Sequence, residues 1–85
     1  MNLVISSTFH KSMVKIAAKN PRLKKQITKT LKLLLVAPDH PSLRLHKLSN
    51  RQDYSISVNM SIRILVRFVD ENIYLLAIGT HGQVY

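Results

Sequence analysis

Apolar residues recur along this chain with two different periods, and the change between them divides it. Residues 3–5 form a short run rich in β-branched side chains, followed by Ser6, Ser7 and Thr8, all suited to cap a helix N-terminus. That reads as a strand running into a helix. From Phe9 onward, Phe9, Met13, Ile16 and Ala17 recur at helical spacing with Lys11, Lys15 and Lys19 on the other side, which predicts a helix over residues 9–18. Asn20-Pro21 then places a capping residue before a proline at the first helical position, where the missing N–H costs nothing. The second helix has an apolar stripe of Leu23, Ile27, Leu31 and Leu34 and a polar stripe of Lys25, Lys29 and Lys32; Pro38 and Pro41 stop it.

Beyond the prolines the period becomes two. Residues 43–46, 54–58 and 62–68 each alternate, Asp70-Glu71-Asn72 supplies turn chemistry, and residues 73–78 make a fourth strand signal that Gly79 ends. The expected class is α+β in one domain over residues 1–85: an N-terminal strand, a helical hairpin, then a four-stranded antiparallel meander. Alternation assigns faces. Leu43, Leu45, Tyr54, Ile56, Val58, Ile62, Ile64, Val66 and Phe68 turn toward the helices, which leaves Arg44, His46, Ser55, Ser57, Arg63 and Arg67 on the uncovered face. The last strand is apolar on both sides, as a central strand is, and its faces stay open.

Composition narrows the chemistry. No cysteine is present, which excludes disulfides, thiolate metal sites and cysteine nucleophiles and permits a reducing cytoplasm. The apolar runs, such as residues 33–37, are far too short to span a membrane, and the N-terminus lacks a basic segment ahead of an apolar one, so neither a membrane span nor a signal peptide is expected. Thirteen Lys and Arg against four Asp and Glu give a formal charge of +9, and residues 1–38 hold eight of those cations with no acid among them. Ordinary soluble helices intersperse glutamates that pair with such lysines. A surface of one sign points instead to nucleic acid or an acidic protein.

The four acids make no carboxylate cage for a divalent ion, two glycines cannot build a phosphate-cradling loop, and His10, His40, His46 and His81 lack metal-ligand spacing. No metal and no cofactor is expected. RNA cleavage asks less of a protein, because the substrate supplies its own nucleophile in the 2′-OH. What remains is a base for that hydroxyl, a cation at phosphorus and an acid for the departing 5′ oxygen, all within reach of histidine and arginine. Arg63 and His46 share the uncovered face, with His81 and Tyr85 just past the last strand. Taken singly, each also reads as a solvated arginine, a surface or turn histidine, or a terminal aromatic.

Three stretches change that weighting. His46-Lys47-Leu48-Ser49-Asn50, the paired segments 54–58 and 62–66 with Arg63 entering the later one, and Ile78-Gly79-Thr80-His81-Gly82-Gln83-Val84-Tyr85 together make the whole chain resemble the RelE/ParE superfamily of toxin–antitoxin toxins. The ending is the most specific and is similar to that of the YafQ-like branch. The resemblance implies the RelE-like microbial RNase fold and a metal-independent mRNA endoribonuclease acting on the ribosome. It also implies roles: Arg63 on the scissile phosphate, His81 as general acid, Tyr85 as the closing aromatic against the substrate nucleotide, and His46 as general base. Lys11, Lys15, Lys25, Lys29, Lys32, Arg44, Lys47 and Arg67 are the cations expected to meet RNA. Departures exist. Ser55 and Ser57 stand where the RelE branch has lysines, Asn50 replaces a turn glycine that asparagine can mimic in a left-handed conformation, and Asn59-Met60-Ser61 lacks the YafQ-branch acid.

The implied partners are a cognate acidic antitoxin that folds over the basic surface, the ribosome and mRNA, in the cytoplasm, away from membranes. The toxin is expected to be a monomer when free and part of a higher-order complex with its antitoxin. A gyrase inhibitor of ParE type acting by protein binding, and a catalytically weak chain that only binds an antitoxin, are the competing readings.

Overall fold

The computed structural model describes residues 1–84. Its elements run β1 (Asn2–Ile5), α1 (Ser7–Ala17), α2 (Pro21–Val36), β2 (His46–Lys47), β3 (Tyr54–Ser57), β4 (Arg63–Val69), β5 (Asn72–Gly79) and a one-turn α3 (His81–Val84). Local chemistry explains the helix boundaries. Ser6 Oγ accepts the Phe9 N–H at 3.0 Å to cap α1, and its hydroxyl donates to the Leu76 carbonyl at 3.2 Å, tying that helix start to β5. Asn20 Oδ1 accepts the Leu23 N–H at 3.0 Å and Pro21 opens α2, as the Asn-Pro pair predicts. No helix is long and apolar enough to cross a membrane among the described residues.

One five-stranded sheet forms in the order β1-β5-β4-β3-β2. The last four strands pair antiparallel in sequence, and β1 lies parallel to β5 with Leu3 opposite Ile73 and Ile5 opposite Leu75. The strand that was apolar on both sides is thus interior. A bulge between Leu65 and Val66 in its pairing with β4 accounts for its mixed faces: Ile64 pairs with Ile78 and Leu65 with Ala77, but Val66 pairs with Leu75, so Leu76 is skipped. Parity shifts there, and Ile73, Leu75 and Ile78 all reach the helix side.

That side holds the main core, where Phe9, Ile27, Leu34, Leu43, Ile56, Ile64, Val66, Ile73 and Leu75 are almost wholly buried. Tyr54 and Phe68 meet edge to face within it, with ring centroids 5.5 Å apart. On the opposite face Val84 of α3 packs with Leu48 and Leu65, with Leu76 and Ala77 alongside, in a small second cluster. That face is therefore only partly open.

One expectation fails, at residues 43–46. Pro41 starts a 3-10 turn over Pro41–Leu43, with His40 Nδ1 accepting the Ser42 N–H at 3.1 Å, and Arg44 ends it in the left-handed region at φ 49°. The turn breaks the alternation, so Leu43 enters the core, Leu45 stays 36% exposed, and the strand begins at His46. Asn50 takes φ 59°, the left-handed conformation for which asparagine was expected to replace glycine.

Candidate functional site

The uncovered face has two polar ends separated by the Leu48–Leu65–Val84 cluster. Successive open-face positions on β4 are Arg63, Leu65 and Arg67, and in β3 they are Ser55 and Ser57, preceded by Asp53. Each end thus receives one arginine from the same strand.

At the first end the Arg63 guanidinium is locked. Its Nε and Nη2 donate to Ser55 Oγ at 3.2 and 3.0 Å, and Nη2 also donates to the Arg44 carbonyl at 3.3 Å. Ser55 is fully buried, so its hydroxyl is a fixed acceptor, and the left-handed Arg44 lies where its carbonyl meets the arginine. These three bonds take up Nε and Nη2; Nη1 has no partner among the described residues and keeps both its donors. A guanidinium held this way offers a planar cation to one phosphate without first losing rotamer freedom.

Sheet register gathers both histidines at this end. His46 is opposite Ser55, one step diagonal to Arg63 across β3, and is exposed. Gly79 is opposite Arg63, and His81 opens α3 two residues later, also exposed. Thr80-x-x-Gln83 supplies half of a capping box: Gln83 Oε1 accepts the Thr80 N–H at 2.8 Å, so the helix carrying His81 is tied back to the residue that precedes it. A Cβ on Gly79 would lie 2.5 Å from Gln83 Oε1, so glycine is what lets Gln83 lie across the strand end. Tyr85 lies outside the described residues.

At the second end Asp53 is fully buried and takes two arginines. Arg67 Nε donates to Oδ1 at 2.6 Å and Arg51 Nη2 to Oδ2 at 2.5 Å. Burial alone would push the Asp53 carboxyl up, but hydrogen bonds from Arg67 and then Arg51, with their charges, outweigh it and hold the group below its ordinary value of 3.8. The hydrogen bond and charge of Asp53 raise Arg67 in turn. Arg67, one of the cations expected to meet RNA, gives its Nε–H to this shared carboxylate.

The remaining cations are dispersed. Lys11, Lys15, Lys25, Lys29 and Lys32 are exposed on α1 and α2, across the sheet from Arg63. Arg44 contributes its carbonyl to the Arg63 end while its residue is exposed; Lys47, opposite the core-facing Tyr54, sits on the edge strand toward the helix side. Asp53, Arg51 and the orienting role of Ser55 went unread in the sequence. The alternation of β3 extended backward reaches Asp53, and Thr-x-x-Gln is itself a legible helix-start signature. No group of three or more potential metal ligands occurs among the described residues.

No family model and no curated protein matches the sequence. Solved structures do resemble it. YafQ from E. coli superposes with a TM-score of 0.79 at 18% identity, over 98% of this chain and 96% of that one. A YoeB/ParE toxin from Agrobacterium tumefaciens gives 0.83 at 13% identity, over 95% and 99%. A chain of the heterotetrameric YoeB-YefM toxin-antitoxin complex from Staphylococcus aureus gives 0.78 at 18% identity, over 95% and 97%. With near-complete mutual coverage at these TM-scores, this chain has the RelE-like fold that the YafQ and YoeB toxins share.

Proposed function

We propose that the chain is the toxin of a type II toxin–antitoxin pair and that it cuts mRNA on the ribosome, without a metal, at the Arg63 end of the open face. The observation that carries this reading is the arrangement there. A guanidinium held by Ser55 and the Arg44 carbonyl keeps Nη1 without a partner among the described residues, and register brings a histidine from each side of it to the same end of the sheet. In that reading His46 takes the proton from the 2′-OH, and the oxygen attacks the adjacent phosphorus. Arg63 carries the charge that develops on the phosphoryl oxygens, and His81 gives a proton to the 5′ oxygen as its bond to phosphorus breaks. The products are a 2′,3′-cyclic phosphate and a 5′-hydroxyl. Tyr85 orients the nucleotide.

The antitoxin is an acidic chain, drawn to a protein of formal charge +9. An apolar groove between α1 and α2, lined by Met13, Val14, Leu31 and Leu35 and rimmed by Lys24 and Lys32, suits the apolar side of such a segment. Neighbours of this fold occur with antitoxins in the DinJ-YafQ and YoeB-YefM complexes.

The test is to induce the chain in bacteria and map new 5′ ends on translated and untranslated copies of one message. Cuts confined to the translated copy, and absent from a His81→Ala, Tyr85→Ala double variant, are the expected result. Growth arrest with no new ends transfers the reading to protein binding, as in gyrase inhibition.

A further inference from the structure

The second polar end has more cationic capacity than its structural task requires. One arginine neutralises Asp53, yet two converge on it, leaving a surplus positive charge beside a carboxylate that fixes both guanidiniums in place. Both arginine side chains are 45% exposed. Arg51 Nε and Nη1 and both terminal nitrogens of Arg67 have no partner among the described residues. Two forks whose inner donors are spent on a shared acid and whose outer donors face solvent form a preorganised cradle for one phosphate.

An aromatic ring stands beside this cradle. Tyr74 is directly opposite Arg67 in the β4–β5 register, and since Phe68 and its partner Ile73 are on the helix side, Tyr74 and Arg67 share the open face. Tyr74 is half-buried, and Val69, 40% exposed, extends the apolar surface along the same face. Phosphate donors next to an accessible aromatic are the pairing by which proteins hold single-stranded nucleic acid, the backbone on the cations and a base on the ring. Arg67 lies four positions along β4 from Arg63, roughly 13 Å at the rise of an extended strand. The Leu48–Leu65–Val84 cluster lies between them, so one phosphate cannot serve both.

We infer that Arg51, Arg67 and Tyr74 form a second nucleotide-binding subsite, which takes a phosphodiester of single-stranded RNA and stacks the neighbouring base at a position remote from the bond that is cut. The inference rests on the RNA reading above. It gives the protein a grip on the strand independent of the Arg63 end, and it assigns Asp53 the task of holding the two guanidiniums at a fixed separation.

The test measures binding of a fluorescent 2′-O-methyl octanucleotide, which has no nucleophile and cannot be cut, across a salt series. The variants are Arg51→Gln, which leaves Arg67 on Asp53, and Tyr74→Leu, each first checked for an unchanged fold by circular dichroism. Arg51→Gln is expected to weaken binding severalfold and to make the slope of log K against log salt shallower by about 0.7. Tyr74→Leu is expected to weaken it about tenfold with the slope unchanged, and Tyr74→Phe to restore it. If both variants bind with wild-type affinity and slope while Arg63→Gln binds more weakly, the subsite is overturned and the nuclease reading stands. A wild-type protein that neither binds the probe nor cuts a translated message overturns that reading and the subsite with it.

Discussion

Ser55 shows how much one small side chain can decide. A lysine expected from the RelE branch is replaced by a buried hydroxyl that accepts both Nε and Nη2 of Arg63, so this protein exchanges a cation for orientation of the cation it keeps. Hydrogen bonds to a charged group are worth about 1.5–3 kcal/mol each, enough to hold the guanidinium in one rotamer. Ser55→Ala should therefore lower the cleavage rate constant about tenfold or more, with a smaller change in substrate affinity, and Ser55→Thr should recover most of it; single-turnover kinetics on programmed ribosomes separates the two parameters. Asp53 makes a prediction of opposite kind. Its carboxyl lies below 3.8 in the fold, so it stays ionised where the unfolded chain begins to take up a proton. The stability it contributes is complete above that ordinary value and is lost as pH falls through the lower folded one. Asp53→Asn should lower Tm by roughly 5–10 °C near neutral pH, and the gap from wild type should close below about pH 4. A gap that does not change with pH would show that the ion pairs contribute nothing.

At the level of elements, the short α3 is the part on which the site depends most and for which the sequence offers least. Four residues are too few for a helical period, and only Thr80-x-x-Gln83 signals it. Adding a methyl at Gly79 would place a carbon 2.5 Å from Gln83 Oε1, forcing Gln83 off the Thr80 N–H. Gly79→Ala is thus expected to cut cleavage at least fivefold while far-ultraviolet circular dichroism stays near wild type, because β5 keeps its ladder and only the segment carrying His81 is released. Elsewhere legibility followed the strength of the period. Both helices were readable from their apolar stripes and from Asn20-Pro21. The faces of β3 and β4 were readable because seven alternating positions survive intact from Ile62 to Phe68. Residues 43–46 misled because Pro41 and the left-handed Arg44 put a 3-10 turn where alternation suggested a strand. The β5 bulge was invisible, since a strand apolar on both sides carries no parity to lose. Arg51 and Asp53 precede β3 in a loop, where no period assigns a partner, and their meeting with Arg67 depends on the pairing of distant strands.

For the molecule as a whole, charge and shape divide the labour. The helix layer presents Lys25, Lys29 and Lys32 on the side of the sheet away from Arg63, so these cations cannot reach the same nucleotide that Arg63 meets. They suit long-range attraction to a phosphate-rich particle, a contribution that salt screens. Neutralising the three to glutamine should raise KM for programmed ribosomes severalfold at low salt, leave kcat near wild type, and lose its effect as salt rises; an equal fall in kcat would place them at the chemistry instead. The proposed activity requires that the open face cut RNA by means of the substrate's own hydroxyl. The most direct measurement maps the cut in a translated message and then replaces the single ribose on its 5′ side with 2′-deoxyribose. The all-ribose message is expected to be cut to leave a 5′-hydroxyl end, and the substituted message to survive at that position. Equal cutting of both messages, or no cutting of either by the folded protein, would contradict the proposed activity.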